Sequence, residues 1–257
     1  MPAEVSISLG GLLGFLLVLA RVGGALSFVP LPGLRGVPEV ARAALAVGFT
    51  LALCSRWPVV DVAAQSSGRL VGWVLAEAAV GIAIGVAAAM ILEVFNMAAQ
   101  ILGLPAGYSY ASTIDPNSEA DAGVLLVFAQ LVGGMLFFAL GMDRIVVRLF
   151  AQSLDTVPAG AYAFSPRSAE PLIRLGGALF SSGFRLALPV VALLTMVDVA
   201  LALLGRLNQQ LQLLSLAFPV KMLAALLILS WIMALVPRLM AEFSGQAWTA
   251  AGRALGL

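Results

Sequence analysis

The sequence predicts an all-α, polytopic membrane protein, and three observations predict it. Of its 257 residues 61% are hydrophobic and only 11% charged, whereas soluble domains carry roughly 45–50% apolar and about 25% charged residues. The mean hydropathy is +1.05, and a soluble chain of this size needs far more polar side chains to cover the surface it leaves in water. Third, Ala122 to Met142 is an uncharged run between Asp121 and Asp143, long enough at 1.5 Å per helical residue to cross about 30 Å of hydrocarbon.

The remaining composition excludes function classes. The 14 Lys+Arg and 13 Asp+Glu nearly cancel, so no basic field attracts nucleic acid. Cys54 is the single cysteine, which forbids an intrachain disulfide and multi-cysteine metal sites. Histidine is absent, removing the commonest general base and metal ligand. No cofactor is expected, and no HExxH, GxSxG or GxxxxGK[ST] pattern supports an enzyme. The N-terminus reads Met1-Pro2-Ala3-Glu4 before the apolar run opens at Val5. Without a basic region or small-residue cleavage site, that run is expected to stay in the mature protein.

Along the chain, Val5 to Ala20 is interrupted by Arg21 and continues to Leu31, and Ala43 to Cys54 is short. Leu70 to Leu92 carries Glu77; the uncharged stretch between Glu93 and Asp115 is broken by Pro105 and Gly107. After the Ala122 to Met142 run, Leu175 to Val197 contains Arg185 and Pro189. Val199 to Val220 contains Arg206 and Pro219, and Met222 to Val236 ends at Pro237. Six to eight helical segments are expected, of which Ala122 to Met142 alone reads as a conventional span. Pro and Gly breaks at membrane depth survive where the backbone is buried in protein or faces a water-filled cavity, so the chain is not expected to sit alone in lipid. Gly10 with Gly14, and Gly81 with Gly85 and Ala89, are spaced four residues apart, which lets helix backbones approach closely within the chain or between subunits. No fixed-period repeat and no inverted halves are visible, so residues 1–257 read as one membrane domain. Lys and Arg are spread over loops of both kinds and leave orientation open.

Seven charges fall within or beside apolar runs: Arg21, Glu77, Glu93, Arg185, Asp198, Arg206 and Lys221. An ionised group there costs about 2.5–3.5 kcal/mol unless paired or hydrated. They are read as buried charges for helix or subunit pairing, with Arg21 and Arg185 set against Glu77, Glu93 or Asp198. The alternative is a proton or ion relay, which the lack of histidine disfavours.

The least helix-like segment runs from Leu104 to Asp121. It contains Pro105, Gly107, Tyr108, Ser109, Tyr110 and the turn signal Asp115-Pro116-Asn117, and the proline disfavours helix at Asp115. Two readings stand side by side. It is a surface loop with interfacial tyrosines, or a segment that lines or blocks a cavity, with Gly107 as hinge and the tyrosines as stoppers.

At these residues the sequence resembles a known family, the FliR subunit of the flagellar type III export gate and its counterpart in virulence-type injection machines. The motifs run in the family's order over nearly the whole chain. Arg21 is followed by Pro30-Leu31-Pro32-Gly33 and Val37-Pro38, then by Glu77-x3-Gly81-x3-Gly85. Gly107-Tyr108-Ser109-Tyr110-Ala111-Ser112-x2-Asp115-Pro116, Phe137-Phe138 with Gly141, and Pro158-x-Gly160 come next. Ala187-Leu188-Pro189, Asp198, Leu204-Gly205-Arg206 and Phe218-Pro219-x-Lys221 complete the series. Two positions depart from the pattern: Met142 follows Gly141 where the family has a histidine, and Gln209-Gln210 stands where it has Pro-Gln. No role of that histidine carries over.

The resemblance implies bent, Pro/Gly-broken helical hairpins, with a P-type portion (about residues 1–180) fused to a Q-type portion (about 181–257). It implies a non-enzymatic pore or gate subunit that assembles with P and Q export-gate subunits in the bacterial inner membrane, at the flagellar basal body. B and A export-apparatus subunits and rod or hook-basal proteins are implied as partners, unfolded flagellar proteins as cargo, and membrane lipid as surroundings. Gly107, Tyr108, Ser109, Tyr110, Asp115 and Pro116 then match the family's channel plug. A proton- or ion-coupled small-molecule transporter is the alternative, and it predicts paired repeats and a polar site at the midplane.

Overall fold

The computed structural model describes residues 9–29, 38–58, 67–107, 123–163, 165–207 and 213–256. Among these the regular elements are helices: α1 (Leu9–Leu26), α2 (Glu39–Ala52), α3 (Ser67–Gly103), α4 (Val124–Ala139), α5 (Met142–Thr156), α6 (Pro166–Leu207), α7 (Leu213–Ile232) and α8 (Val236–Leu255). A 3-10 turn at Cys54–Arg56 follows α2. The described residues contain no strand, and the chain is an all-α, polytopic membrane protein.

Among the described residues three stretches are long and apolar enough to cross a membrane: Leu9–Leu26, Gly68–Gly103 and Pro166–Arg206. Two helix pairs, Val124–Ala139 with Met142–Thr156 and Pro219–Ile232 with Val236–Leu255, raise the number to five if each is one interrupted span. Sequence expectation is corrected here. The Ala122 to Met142 run does not form one continuous helix: α4 has only 16 residues, about 24 Å, and counts as a span only together with α5. The chain turns through Gly141 at φ 67°, a conformation that Cβ-bearing residues avoid. Conversely, α6 is one helix of 42 residues that continues through Pro189 and Asp198, although Asp198 separates two expected segments.

Two compact units divide the chain: Met1–Met90, Gly141–Leu175 and Ser244–Leu257 form the first, Ile91–Leu140 and Gly176–Phe243 the second. Each takes residues from both sides of residue 180, so neither coincides with the 1–180 and 181–257 portions of the resemblance. In the first unit, Leu17, Val18, Val22, Val80 and Ile84 are almost wholly buried. Aromatic pairs fasten its periphery, with Phe15 edge-on to Trp57 at 5.3 Å and Phe49 edge-on to Phe150 at 5.8 Å. The Trp57 Nε1–H donates to Thr50 O at 2.9 Å, giving the indole the polar partner that a half-buried tryptophan requires. The core of the second unit joins Ala98, Ala99 and Leu102 of α3, Leu125 of α4, Ala187, Val190 and Leu194 of α6 and Ala225 of α7.

Candidate functional site

Arg21 sits in the middle of an apolar helix, and its guanidinium is satisfied entirely inside the first unit. Arg21 Nε donates to Glu77 Oε2 at 2.6 Å, Nη1 to Ser153 Oγ at 3.0 Å and Nη2 to Val157 O at 3.2 Å. The second carboxylate oxygen, Glu77 Oε1, accepts the Gly160 N–H at 3.1 Å, and Ser153 Oγ donates onward to Phe150 O at 2.8 Å. Arg21 and Glu77 are each 1% exposed. A buried ion pair is tolerable only when the remaining donors and lone pairs are also met, and here Ser153 of α5 and the Val157 carbonyl and Gly160 amide after it meet them. Both oxygens of Glu77 are engaged, which suits a fixed joint and not a proton relay.

Close backbone approach makes that joint. A Cβ at Gly81 would collide with Arg21 O, one at Gly85 would lie 2.6 Å from Ala25 O, and one at Gly24 would lie 2.5 Å from Ala78 O. Glycines on both helices therefore let α1 and α3 run backbone to backbone, which brings Arg21 within reach of Glu77. Gly14 is used in the same way against Pro58 O, at 2.5 Å. Gly160 has φ 73°, and a Cβ there would overlap the Trp73 indole, so no other residue both turns the chain and delivers its N–H to Glu77.

The other charges read as buried are not buried within this chain. Glu93, Arg185, Asp198 and Arg206 are exposed and Lys221 is half-buried, because helical rotation puts them on outward faces of α3, α6 and α7. Asp198 forms an ion pair with Lys221, and Glu93 Oε2 accepts from Asn96 Nδ2 at 2.9 Å. Arg185 and Arg206 have no ion-pair partner among the described residues. Sequence reasoning missed Ser153, the Val157 carbonyl and the Gly160 amide, since one serine and two backbone groups leave no compositional signal. It also missed the surface pair of Arg56 with Asp155.

Gly107 closes the C-terminal end of α3, where Ala106 N–H donates to Leu102 O at 3.0 Å and Gly107 N–H to Leu104 O at 3.1 Å. Its φ is 83°. Tyr108, Ser109, Tyr110, Asp115 and Pro116, the rest of the expected plug, lie outside the described residues. Among the described residues no three His, Cys, Asp or Glu side chains gather as a metal site.

Long apolar helices, glycine-mediated backbone contacts and a buried joint of opposite charges define a class: a helical membrane protein whose polar chemistry holds helices together. Residues 12–247 match the family described as bacterial export proteins, family 1. The chain is similar to the flagellar biosynthetic protein FliR of Escherichia coli (strain K12), 28% identical over 219 residues, covering 85% of this chain and 83% of the relative. It is likewise similar to FliR of Bacillus subtilis (strain 168), 25% identical with 84% of each chain covered, and to FliR of Aquifex aeolicus (strain VF5), 21% identical with 85% and 84% covered. The chain belongs to this family, the FliR family of bacterial export proteins, and is a membrane-embedded component of the flagellar export apparatus.

Proposed function

We propose that the chain is a non-enzymatic gate subunit of the flagellar type III export apparatus in the bacterial inner membrane. It assembles with P and Q subunits into a channel for unfolded flagellar proteins, and the B and A subunits and rod or hook-basal proteins contact the assembly.

The observation that carries this reading is the outward face of α6. Phe180, Phe184, Leu188, Val199 and Leu203 are exposed and fall within about 140° of one another at 3.6 residues per turn. Only 17% of the most apolar window of this helix is buried. Arg185 and Arg206, both exposed, lie in the same sector. Lipid suits the phenylalanines and leucines but not two arginines that have no ion partner among the described residues; a neighbouring protein subunit suits both. The face is that of a component, incomplete without its neighbours.

Gly107, which closes the turn after α3, begins the segment assigned as channel plug. Deleting residues 107–114 tests that assignment: assembly with P and Q should persist while the membrane becomes leaky to ions and small solutes. An unchanged ion barrier in cells that assemble the deleted complex would remove the plug from this account.

A further inference from the structure

Within the second unit, α3 presents a narrow polar strip. Between Ile91 and Gly103 the exposed residues of the helix are Glu93 and Gln100, spaced by seven residues and so about 20° apart around it; exposed Leu104 follows in the turn after α3. The opposite side, with Phe95, Ala98, Ala99 and Leu102, lines an apolar cavity. The strip is one helix position wide, and its two members on the helix are a carboxylate and a carboxamide.

Beside Glu93 stands Asn96, only 4% exposed. Its Nδ2 donates to Glu93 Oε2 at 2.9 Å, which fixes the carboxylate on its side of the helix. Asn96 Oδ1 has no hydrogen-bond partner among the described residues. A buried amide oxygen without a donor is rare and calls for water or an added group. The wide face of α6 is apolar with charges at intervals. The α3 strip is narrow and polar, and it runs towards the end of the helix at Gly103.

We infer that this strip is part of the channel wall, wetted by water and touched by the unfolded polypeptide in transit; the inference rests on the gate reading above. A helix built into a closed wall shows the lumen only the arc between its two neighbours, which accounts for the width. Glu93 and Gln100 together offer donors and acceptors to the free N–H and C=O groups of an extended chain. Such contacts ignore side-chain identity, as a conduit for many different proteins requires. Lipid would leave the Glu93 carboxylate unhydrated, and a buried partner helix would have to supply a cation opposite it.

The test uses single cysteines at Glu93→Cys, Gln100→Cys and, as a control on the α6 face, Leu188→Cys, each in a Cys54→Ser background and in complexes shown by co-purification to contain P and Q subunits. The probe is a membrane-impermeant trimethylammonium methanethiosulfonate, applied with and without an exported flagellar protein stalled by fusion to a folded domain. Labelling is expected at positions 93 and 100 and not at 188, with loss of labelling at both when the cargo is stalled. No labelling at either position in a complex that co-purifies would assign the strip to lipid or to a partner helix and overturn the inference. Labelling unchanged by stalled cargo would also overturn it, by removing the strip from the polypeptide's path. A complex that does not form at all would instead defeat the gate reading, and the strip assignment with it. Should Glu93→Cys fail to accumulate, Gln100→Cys decides alone.

Discussion

Arg21 Nε lies 2.6 Å from Glu77 Oε2, with the two side chains 1% and 2% exposed and 56 residues apart in sequence. Removing one member of such a pair strands the other, at a cost of about 3–5 kcal/mol. Glu77→Leu is therefore expected to abolish detergent-stable protein or to lower its melting temperature sharply, as followed by circular dichroism. The double variant Arg21→Met with Glu77→Leu should recover part of the loss, because two matched apolar groups replace two matched charges. Recovery stays partial, since the Gly160 amide and Val157 carbonyl lose their partners. A double variant as unstable as Glu77→Leu alone would contradict the pairing.

Two glycines of α3 should respond with opposite signs. At Gly81 an added side chain meets the backbone of Arg21, whereas at Gly72 nothing lies within 4 Å. Gly81→Val is expected to destabilise by about 1–3 kcal/mol through overpacking. Gly72→Ala should be neutral or stabilising by up to about 1 kcal/mol through helix propensity. Chemical or thermal unfolding of the two variants side by side gives the comparison.

Gly160 combines a left-handed backbone with contact to Trp73. Gly160→Ala should cost about 1–2 kcal/mol from the backbone alone and more from the indole. Trp73→Ala should then relieve only the second part, so a double-mutant cycle is expected to give a coupling of about 0.5–3 kcal/mol. Strict additivity would mean that the indole does not restrict this position.

Charge reversal on α6 separates folding from assembly. Arg185→Glu and Arg206→Glu alter exposed side chains, and such changes typically move stability by no more than about 0.5 kcal/mol. The isolated chain should fold and accumulate as before, while co-purification with P and Q subunits should be lost. Assembly that survives both reversals would take these arginines out of the interface.

Much of the first unit is legible in sequence, for physical reasons that can be named. An arginine inside an apolar run must find a partner, and Gly81 with Gly85 announces a close helix contact; both signals point to α3. Sequence alone could not choose Glu77 over Glu93 or Asp198, because the choice depends on which faces α1 and α3 turn towards each other. Gly160 carried a signal only through the Pro158-x-Gly160 motif, and Ser153 carried none. Hydropathy misread the spans in both directions. It joined Ala122 to Met142 because it cannot sense the left-handed turn at Gly141, and it divided α6 because the charge of Asp198 looks like an interruption on paper. Glu93 was recognised as anomalous, but its exposure alongside Gln100 follows from the helical register of α3.

The central claim is that the chain is one component of a larger membrane channel, and its native mass measures this most directly. After co-expression with the P and Q subunits and mild detergent extraction, native mass spectrometry is expected to find it in a single hetero-oligomer containing both partners. A folded, homogeneous monomer that binds neither partner would contradict the account.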